Sequence, residues 1–258
     1  MGPAKVQERP ELHTTTLVLI RHAEAVEHDC QGNMRLCGWL DVPLTELGRL
    51  QAEDLRLVAP QLGAVAGLFT SSLRRAADTA RPLADALGLR SRARRALREI
   101  SCGWLEGLPV SEVRSCYPDI WQANVAQTDE TFRWPGGESY RGFRARVLRS
   151  MRRVAALYAG STVVIVTHAG VITQVLGALA GESAARWDVF RPDNASLTVV
   201  RWAGDGGVVI RFNDRRHLET LSSPHAVGTT NDAQVLAQGR DSSESLGWRA
   251  TDSIQRDS

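Results

Sequence analysis

Three short apolar runs constrain the fold of this chain most, because each is followed directly by polar side chains that can do chemistry. The runs and their followers are 16–20 before Arg21 and His22, 67–70 before a segment with Arg75, and 161–166 before Thr167 and His168. Short runs of β-branched and apolar residues between polar flanks are typical of buried strands. We therefore predict three buried strands whose ends carry histidine or arginine.

Helical patterns alternate with these strands. Caps, apolar spacing and stop signals predict helices over 45–60, 73–87, 139–158 and 171–180. Two later runs, 197–202 and 208–212, flank a glycine-rich turn and predict an antiparallel hairpin. Strands that alternate with helices predict an α/β fold. We expect a three-layer α/β/α sandwich with a mostly parallel central sheet, one antiparallel edge strand and a small inserted cap at about 100–138.

The composition indicates where the folded domain begins and ends and which partners to expect. We expect a flexible leader over 1–15, one domain over 16–220 and a disordered tail over 221–258, which is rich in Ser, Asp, Gln and Gly. The net charge is +2, which gives no reason to expect a nucleic-acid partner. No apolar run approaches the roughly 18–20 residues that span a bilayer. We therefore predict a cytoplasmic protein without a membrane partner, whose four cysteines are free thiols.

The strand ends restrict the chemistry. Ligands of open α/β sheets bind beyond the carboxyl ends of the strands, so two histidines and at least two arginines should meet at one edge. Arginine binds phosphate oxygens through two parallel hydrogen bonds. A neutral imidazole can attack phosphorus, and a second, protonated histidine with arginines can neutralise the transferring group. A leaving oxygen also needs a proton, so a carboxylic acid should lie nearby.

Ordered motifs carry a specific resemblance. Arg21-His22-Ala23-Glu24 resembles the Arg-His-Gly-Glu signature of the histidine phosphatase superfamily, also called the phosphoglycerate mutase-like family. Further blocks that resemble this family are 38–48, 71–80, 97–107, 135–139 and 167–172, and the resemblance covers about 16–218. It implies that His22 is phosphorylated, that Arg21, Arg75 and His168 hold the phosphoryl group, and that Glu99 protonates the leaving oxygen. It implies no metal and no cofactor.

Two of these roles have an alternative candidate residue. Arg74 competes with Arg75, and Glu106 competes with Glu99 as proton donor. Ala23 stands where the family has Gly, and Cys37 stands where Gln is common. His28 stands where Asn often lies near the phosphate, so we include it as a candidate phosphate-binding residue. A zinc site that combines His28 with Cys30 and Cys37 is a weaker alternative, because that spacing matches no zinc motif.

The resulting hypothesis is a metal-independent phosphomonoester hydrolase that acts on a small phosphorylated metabolite through a phosphohistidine. The first alternative is a phosphoglycerate mutase, and the second is a non-catalytic phosphate-binding protein. Mutases carry a segment similar to Arg-x-Tyr-Gly after the acidic residue and a longer insertion. Here the segment is Ile100-Ser101-Cys102-Gly103, and about 39 residues separate Glu99 from Glu138. This difference favours the hydrolase, and the sequence leaves open both the substrate and whether the protein is a dimer.

Overall fold

A computed structural model describes residues 14–222. The predicted leader lies outside the described residues except for Thr14 and Thr15, and Thr15 already begins the first strand. The predicted tail lies outside them except for Leu221 and Ser222, which end a 3-10 helix that begins at Arg216.

Within residues 14–222, six strands form one mixed sheet. They are β1 Thr15–Arg21, β2 Val65–Ser71, β3 Ser91–Arg94, β4 Thr162–Thr167, β5 Leu197–Ala203 and β6 Gly206–Asp214. Their order is β3-β2-β4-β1-β5-β6. The pairs β2–β3, β2–β4 and β1–β4 are parallel, whereas β5 runs antiparallel to both β1 and β6. The predicted sheet, mostly parallel with an antiparallel edge, is confirmed.

Helices cover both faces of the sheet. They are α1 Glu46–Asp54, α2 Arg74–Leu87, α3 Val110–Cys116, α4 Pro118–Ala126, α5 Tyr140–Leu157 and α6 Ala169–Leu179. The Thr45 and Ser139 hydroxyls cap α1 and α5 by accepting backbone N–H groups. The first predicted helix ends early, because the chain turns to 3-10 geometry at Leu55. Pro60 lies in that segment and cannot donate the backbone hydrogen bond of a continuing α-helix.

Strand β1 divides the core into two layers. Leu17 and Leu19 belong to the apolar cluster that includes residues of α5 and α6. Val18 and Ile20 belong to the cluster that includes residues of α2, such as Leu83. Successive side chains of a strand point to opposite faces, so one β-strand supplies both layers. This is the predicted three-layer sandwich.

The inserted cap contains α3, α4 and a short 3-10 helix at Gly103–Leu105. Val113 and Trp134 from the cap belong to the same apolar cluster as Tyr140 and Phe143 of α5. The cap is therefore attached to the core layer that α5 forms.

Candidate active site

The carboxyl ends of β1 and β4 bring two histidines together. His22 follows the end of β1, and His168 follows the end of β4. Their ring centroids lie 5.1 Å apart, and both side chains are buried. The backbone N–H of His22 donates to the carbonyl of Thr167, so the pairing of the two strands itself fixes this proximity. The meeting of two histidines at one sheet edge, predicted from the strand ends, is observed.

The His22 imidazole is held in one tautomer. Its Nδ1 lies 2.7 Å from the carbonyl oxygen of Ala23, which can only accept, so Nδ1 carries the hydrogen and Nε2 keeps its lone pair. Burial lowers the pKa of His22 well below its ordinary value, and the charges of Arg75 and Arg21 lower it further. The ring is therefore neutral at neutral pH. A neutral imidazole with a free Nε2 lone pair is a competent nucleophile.

Arg75 is the most deeply buried charge near this pair, with only 2% of its surface exposed. Its two Nη groups donate to the carbonyls of Leu40 and Gly38, each at 2.8 Å. These bonds fix the plane of the guanidinium beside the two imidazoles. Its neighbour Arg74 instead faces solvent and pairs with Asp78. The structure thus brings Arg75, and not Arg74, to the histidines.

Arg21 and His168 are the other two polar residues at this edge of the sheet, and each is held by a hydrogen bond. Nη1 of Arg21 donates to the carbonyl of Pro192 at 3.0 Å. Nε2 of His168 lies 2.7 Å from the hydroxyl of Ser71. Burial lowers the pKa of His168 well below its ordinary value, as do the nearby charges of Arg75 and Arg21. The ring is therefore neutral at neutral pH, and a nearby negative charge would favour the protonated form that the sequence led us to expect beside a phosphoryl group.

Three buried nitrogens of this group have no hydrogen-bond partner within residues 14–222. They are Nε of Arg21, Nε of Arg75 and Nδ1 of His168. Buried polar atoms of folded proteins are nearly always paired, and exceptions tend to occur at functional sites. The two arginine nitrogens are N–H donors, and donors of this kind suit the oxygens of a phosphoryl group.

Glu99 lies beside the N-terminus of α6. Its Oε1 accepts the N–H of Ile100 at 2.8 Å, and its Oε2 accepts the N–H of Gly170 at 2.9 Å. Burial raises the pKa of Glu99, and this effect outweighs the two hydrogen bonds and the charges of Arg75 and Arg146. A carboxyl group with a raised pKa can hold a proton closer to neutral pH, as a general acid must.

The rival carboxylate Glu106 has a different environment. Its Oε1 accepts the N–H of Cys102 at 2.9 Å and the hydroxyl of Ser101 at 3.2 Å. These bonds close the 3-10 turn of the cap. Glu99 accepts an N–H group of α6, whereas no hydrogen bond among the described residues joins Glu106 to that helix.

Three residues that depart from the family pattern, Ala23, His28 and Cys37, lie in different surroundings. Ala23 is buried and is not among the described residues with positive φ, so alanine fits there without strain. His28 is exposed on the loop after β1, and no described hydrogen bond joins it to the two histidines. Its phosphate-binding role stays a prediction. Burial raises the pKa of the Cys37 thiol to about 11, so the thiol stays protonated.

Several residues that hold the site were not predicted from the sequence. The Thr79 hydroxyl accepts the N–H of Ala23 at 2.9 Å and donates to the carbonyl of Arg75 at 2.7 Å. The Asn194 amide donates to the carbonyl of His22 at 3.1 Å. Thr79 is four residues after Arg75 on α2, which is one helical turn, and this spacing was the available signal. No local pattern points to Asn194.

The four cysteines predicted to be free thiols are free in the structure. No group of three His, Cys, Asp or Glu side chains in the described part of the chain could hold a metal ion. None of the helices described between residues 14 and 222 is long and apolar enough to cross a membrane.

Comparison with known proteins decides the family. The sequence profile described as "Histidine phosphatase superfamily (branch 1)" matches residues 17–215, which is well over half of the chain. The chain belongs to the histidine phosphatase superfamily. The resemblance inferred from the ordered motifs is thereby confirmed, and the gathered residues all lie inside the matched region.

Individual relatives within the histidine phosphatase superfamily carry different names. The chain is 31% identical over 204 residues to "Phosphoserine phosphatase 1" of Hydrogenobacter thermophilus, which covers 78% of this chain and 93% of that protein. It is 30% identical over 208 residues to "Probable phosphoglycerate mutase GpmB" of Yersinia pestis, covering 78% and 94%. A solved mycobacterial glucosyl-3-phosphoglycerate phosphatase in complex with VO3 is 30% identical, with a TM-score of 0.67, covering 78% and 99%.

Proposed function

We propose that this member of the histidine phosphatase superfamily is a metal-independent phosphomonoester hydrolase that works through a phosphohistidine at His22. The observation that carries the proposal is the buried imidazole whose Nδ1–H is held by the Ala23 carbonyl while Nε2 stays free. The lowered pKa of His22 supports it, because the ring needs no deprotonation before it attacks.

The first half-reaction transfers the phosphoryl group to the protein. Nε2 of His22 attacks phosphorus, and the bond between phosphorus and the ester oxygen breaks. Glu99 gives its proton to that leaving oxygen, so an alcohol departs. Arg21 and Arg75 stabilise the charge on the phosphoryl oxygens throughout, without a metal ion.

His168 contributes a further donor in this scheme. The Ser71 hydroxyl accepts the N–H of Leu73, so it can donate to Nε2 of His168 and leave the ring hydrogen on Nδ1. A bound phosphate dianion raises the pKa of an adjacent imidazole and so favours a second proton on this ring. In the second half-reaction Glu99 takes a proton from water, whose oxygen attacks the phosphohistidine and releases inorganic phosphate.

We propose a small phosphorylated metabolite as the substrate class. The phosphatase names of one curated relative and of the solved structure support this class. The cytoplasm is the proposed compartment, because free thiols such as the four cysteines here persist under its reducing conditions.

One observation favours a mutase as the second candidate, namely the 30% identity to a protein named as a phosphoglycerate mutase. A mutase returns the phosphoryl group to an alcohol, whereas a hydrolase gives it to water. The two candidates share the first half-reaction and differ only in what attacks the phosphohistidine.

The test is incubation of the full chain with a panel of phosphate esters that includes 3-phosphoglycerate and phosphoserine. Release of inorganic phosphate by the wild type, and none by His22→Ala, supports the hydrolase. Isomerised phosphoglycerate without phosphate release supports the mutase instead. Vanadate or phosphate binding without turnover of any ester would identify a non-catalytic binding protein. Full activity of His22→Ala would contradict the assignment of the nucleophile.

A further inference from the structure

The guanidinium of Arg146, on α5, uses all five of its N–H donors. Nε donates to Oε1 of Glu138 at 2.8 Å, and Nη2 donates to Oε2 of the same carboxylate at 2.6 Å. The other three bonds go to the carbonyls of Ala96, Arg98 and Glu99, at 2.9, 3.0 and 3.1 Å. Five donors in a rigid plane are the full capacity of arginine, so this side chain has no freedom left.

Glu138 extends the same network to the other side of Glu99. Its Oε2 also accepts the N–H of Ser101 at 3.0 Å. The Arg146–Glu138 pair therefore holds the segment 96–101 at four backbone groups, which are the carbonyls of residues 96, 98 and 99 and the N–H of residue 101. Helix α5 is itself fixed in the core by buried residues such as Phe143 and Val147.

The backbone held in this way controls the Glu99 carboxyl group. Oε1 of Glu99 is bound to the N–H of the next residue, Ile100, and Oε2 is bound to the N–H of Gly170. The carbonyl of Glu99 accepts two donors, one from Arg146 and one from the indole of Trp39 at 2.7 Å. A shift of the segment would move the carboxyl group away from α6.

Stability alone does not account for this pair. Only 20% of the Arg146 side chain and 23% of the Glu138 side chain are exposed. Ion pairs that are largely desolvated contribute little more to stability than apolar residues of similar shape. In some proteins such pairs instead specify a unique arrangement of the groups around them.

We propose that Arg146, together with Glu138, is a positioning residue that fixes the Glu99 carboxyl group where it can deliver a proton to the leaving oxygen. This inference rests on the proposed function, in which Glu99 is the proton donor. Arg146 lies 47 positions from Glu99 in the sequence. In this role it assists the departure of leaving groups that need a proton.

The experiment compares an aryl ester with an alkyl ester in the first turnover. Nitrophenolate leaves p-nitrophenyl phosphate with little need of a proton, whereas the alcohol of 2-glycerophosphate needs one. For Arg146→Lys and Glu138→Gln we expect the rate of alcohol release to fall about 10- to 100-fold with the alkyl ester. With the aryl ester we expect a loss of less than about threefold.

Two further variants calibrate the result. Glu99→Gln sets the full leaving-group dependence that loss of the proton donor produces. Arg144→Lys is the matched control, because Arg144 lies on the same helix and donates to Gln174 and to the carbonyls of residues 182 and 183, away from Glu99. We expect Arg144→Lys to affect both esters alike. Vanadate binding checks that each variant is folded, and Glu138→Gln, which keeps the side-chain shape, serves if Arg146→Lys is not.

The outcomes distinguish the positioning role of Arg146 and Glu138 from the role of Glu99 as proton donor. If Glu99→Gln discriminates between the esters and neither pair variant does, the positioning role is overturned while the proposed function stands. If Glu99→Gln itself affects both esters alike, the assignment of the proton donor is wrong and this inference falls with it. Selective loss in Glu99→Gln and in either pair variant supports both.

Discussion

The imidazoles of His22 and His168 meet edge to face, with ring centroids 5.1 Å apart and planes inclined at 61°. Both rings are buried, and burial together with the charges of Arg75 and Arg21 lowers the pKa of each. Two neutral histidines beside two arginines favour a bound anion and disfavour any further proton on either ring.

This relationship predicts how stability depends on pH. The unfolded histidines titrate near 6.5, above their folded pKa values, so the unfolded chain binds protons first as the pH falls. The contribution of these two histidines to the free energy of unfolding is therefore complete above about pH 6.5. It is lost as the pH falls through their folded pKa values. We expect His168→Gln to reduce the acid slope of the unfolding free energy by up to about 1.4 kcal/mol per pH unit.

Urea denaturation of both proteins between pH 8 and pH 5 measures this slope. An equal slope in the wild type and in His168→Gln would show that the pKa of His168 does not differ between the folded and unfolded states.

Arg75→Lys tests the fixed guanidinium. Lysine cannot donate to the carbonyls of Gly38 and Leu40 and also to a phosphoryl oxygen in one plane. We expect kcat to fall about 10²-fold or more, together with a loss of about 1–3 kcal/mol in unfolding free energy. Arg74→Lys is the matched control, because Arg74 is exposed and should change neither quantity much. Similar effects of the two substitutions would contradict the assignment of Arg75.

Thr79→Val tests the link between α2 and the loop that carries His22 and Ala23. Valine keeps the shape of threonine but leaves the buried N–H of Ala23 without an acceptor. We expect a loss of about 1–3 kcal/mol in unfolding free energy and a lower kcat, because the Ala23 carbonyl orients His22. Thr79→Ser keeps the hydroxyl and should retain most of the activity. Equal kcat values for the valine variant and the wild type would rule out this link.

Gly170→Ala tests the close approach of α6 to Glu99. A Cβ atom at position 170 would lie 2.2 Å from Oε1 of Glu99 and 2.5 Å from the ring of Trp187. We expect displacement of the carboxyl group and a kcat reduced about 10²-fold or more for alkyl esters. Gly206→Ala is the control, since its added Cβ would make only an ordinary contact at 3.9 Å with Leu179. An active Gly170→Ala enzyme would show that the carboxyl group need not lie there.

The raised pKa of Glu99 predicts a basic limb in the rate profile. In the proposed reaction the protonated carboxyl group of Glu99 is the active form, so first-turnover rates on an alkyl ester should fall as the pH rises through that pKa. Glu99→Gln should remove this limb, whereas Glu106→Gln should keep it, because Glu106 binds the cap turn. Loss of the limb in Glu106→Gln alone would exchange the roles of the two carboxylates.

The fold could be predicted from the sequence because its signals are local. The continuous apolar run in β1 predicts a buried strand, and a cap such as Thr45 predicts the start of a helix. The carboxyl ends of parallel strands share one edge, so the strands alone led us to expect His22 and His168 at the same edge. The family was readable from the same strand ends and the blocks around them.

Only the tertiary structure decided which polar residues act together. Arg74 and Arg75 are adjacent in sequence, and the direction of α2 exposes one and buries the other. Arg146 and Glu99 are 47 residues apart, and their contact exists because α5 packs beside the segment before the cap. Hydrogen bonds between irregular backbone and distant side chains leave no periodic trace in a sequence. The histidines at the strand ends were therefore visible in the chain, whereas the residues that hold the site were not.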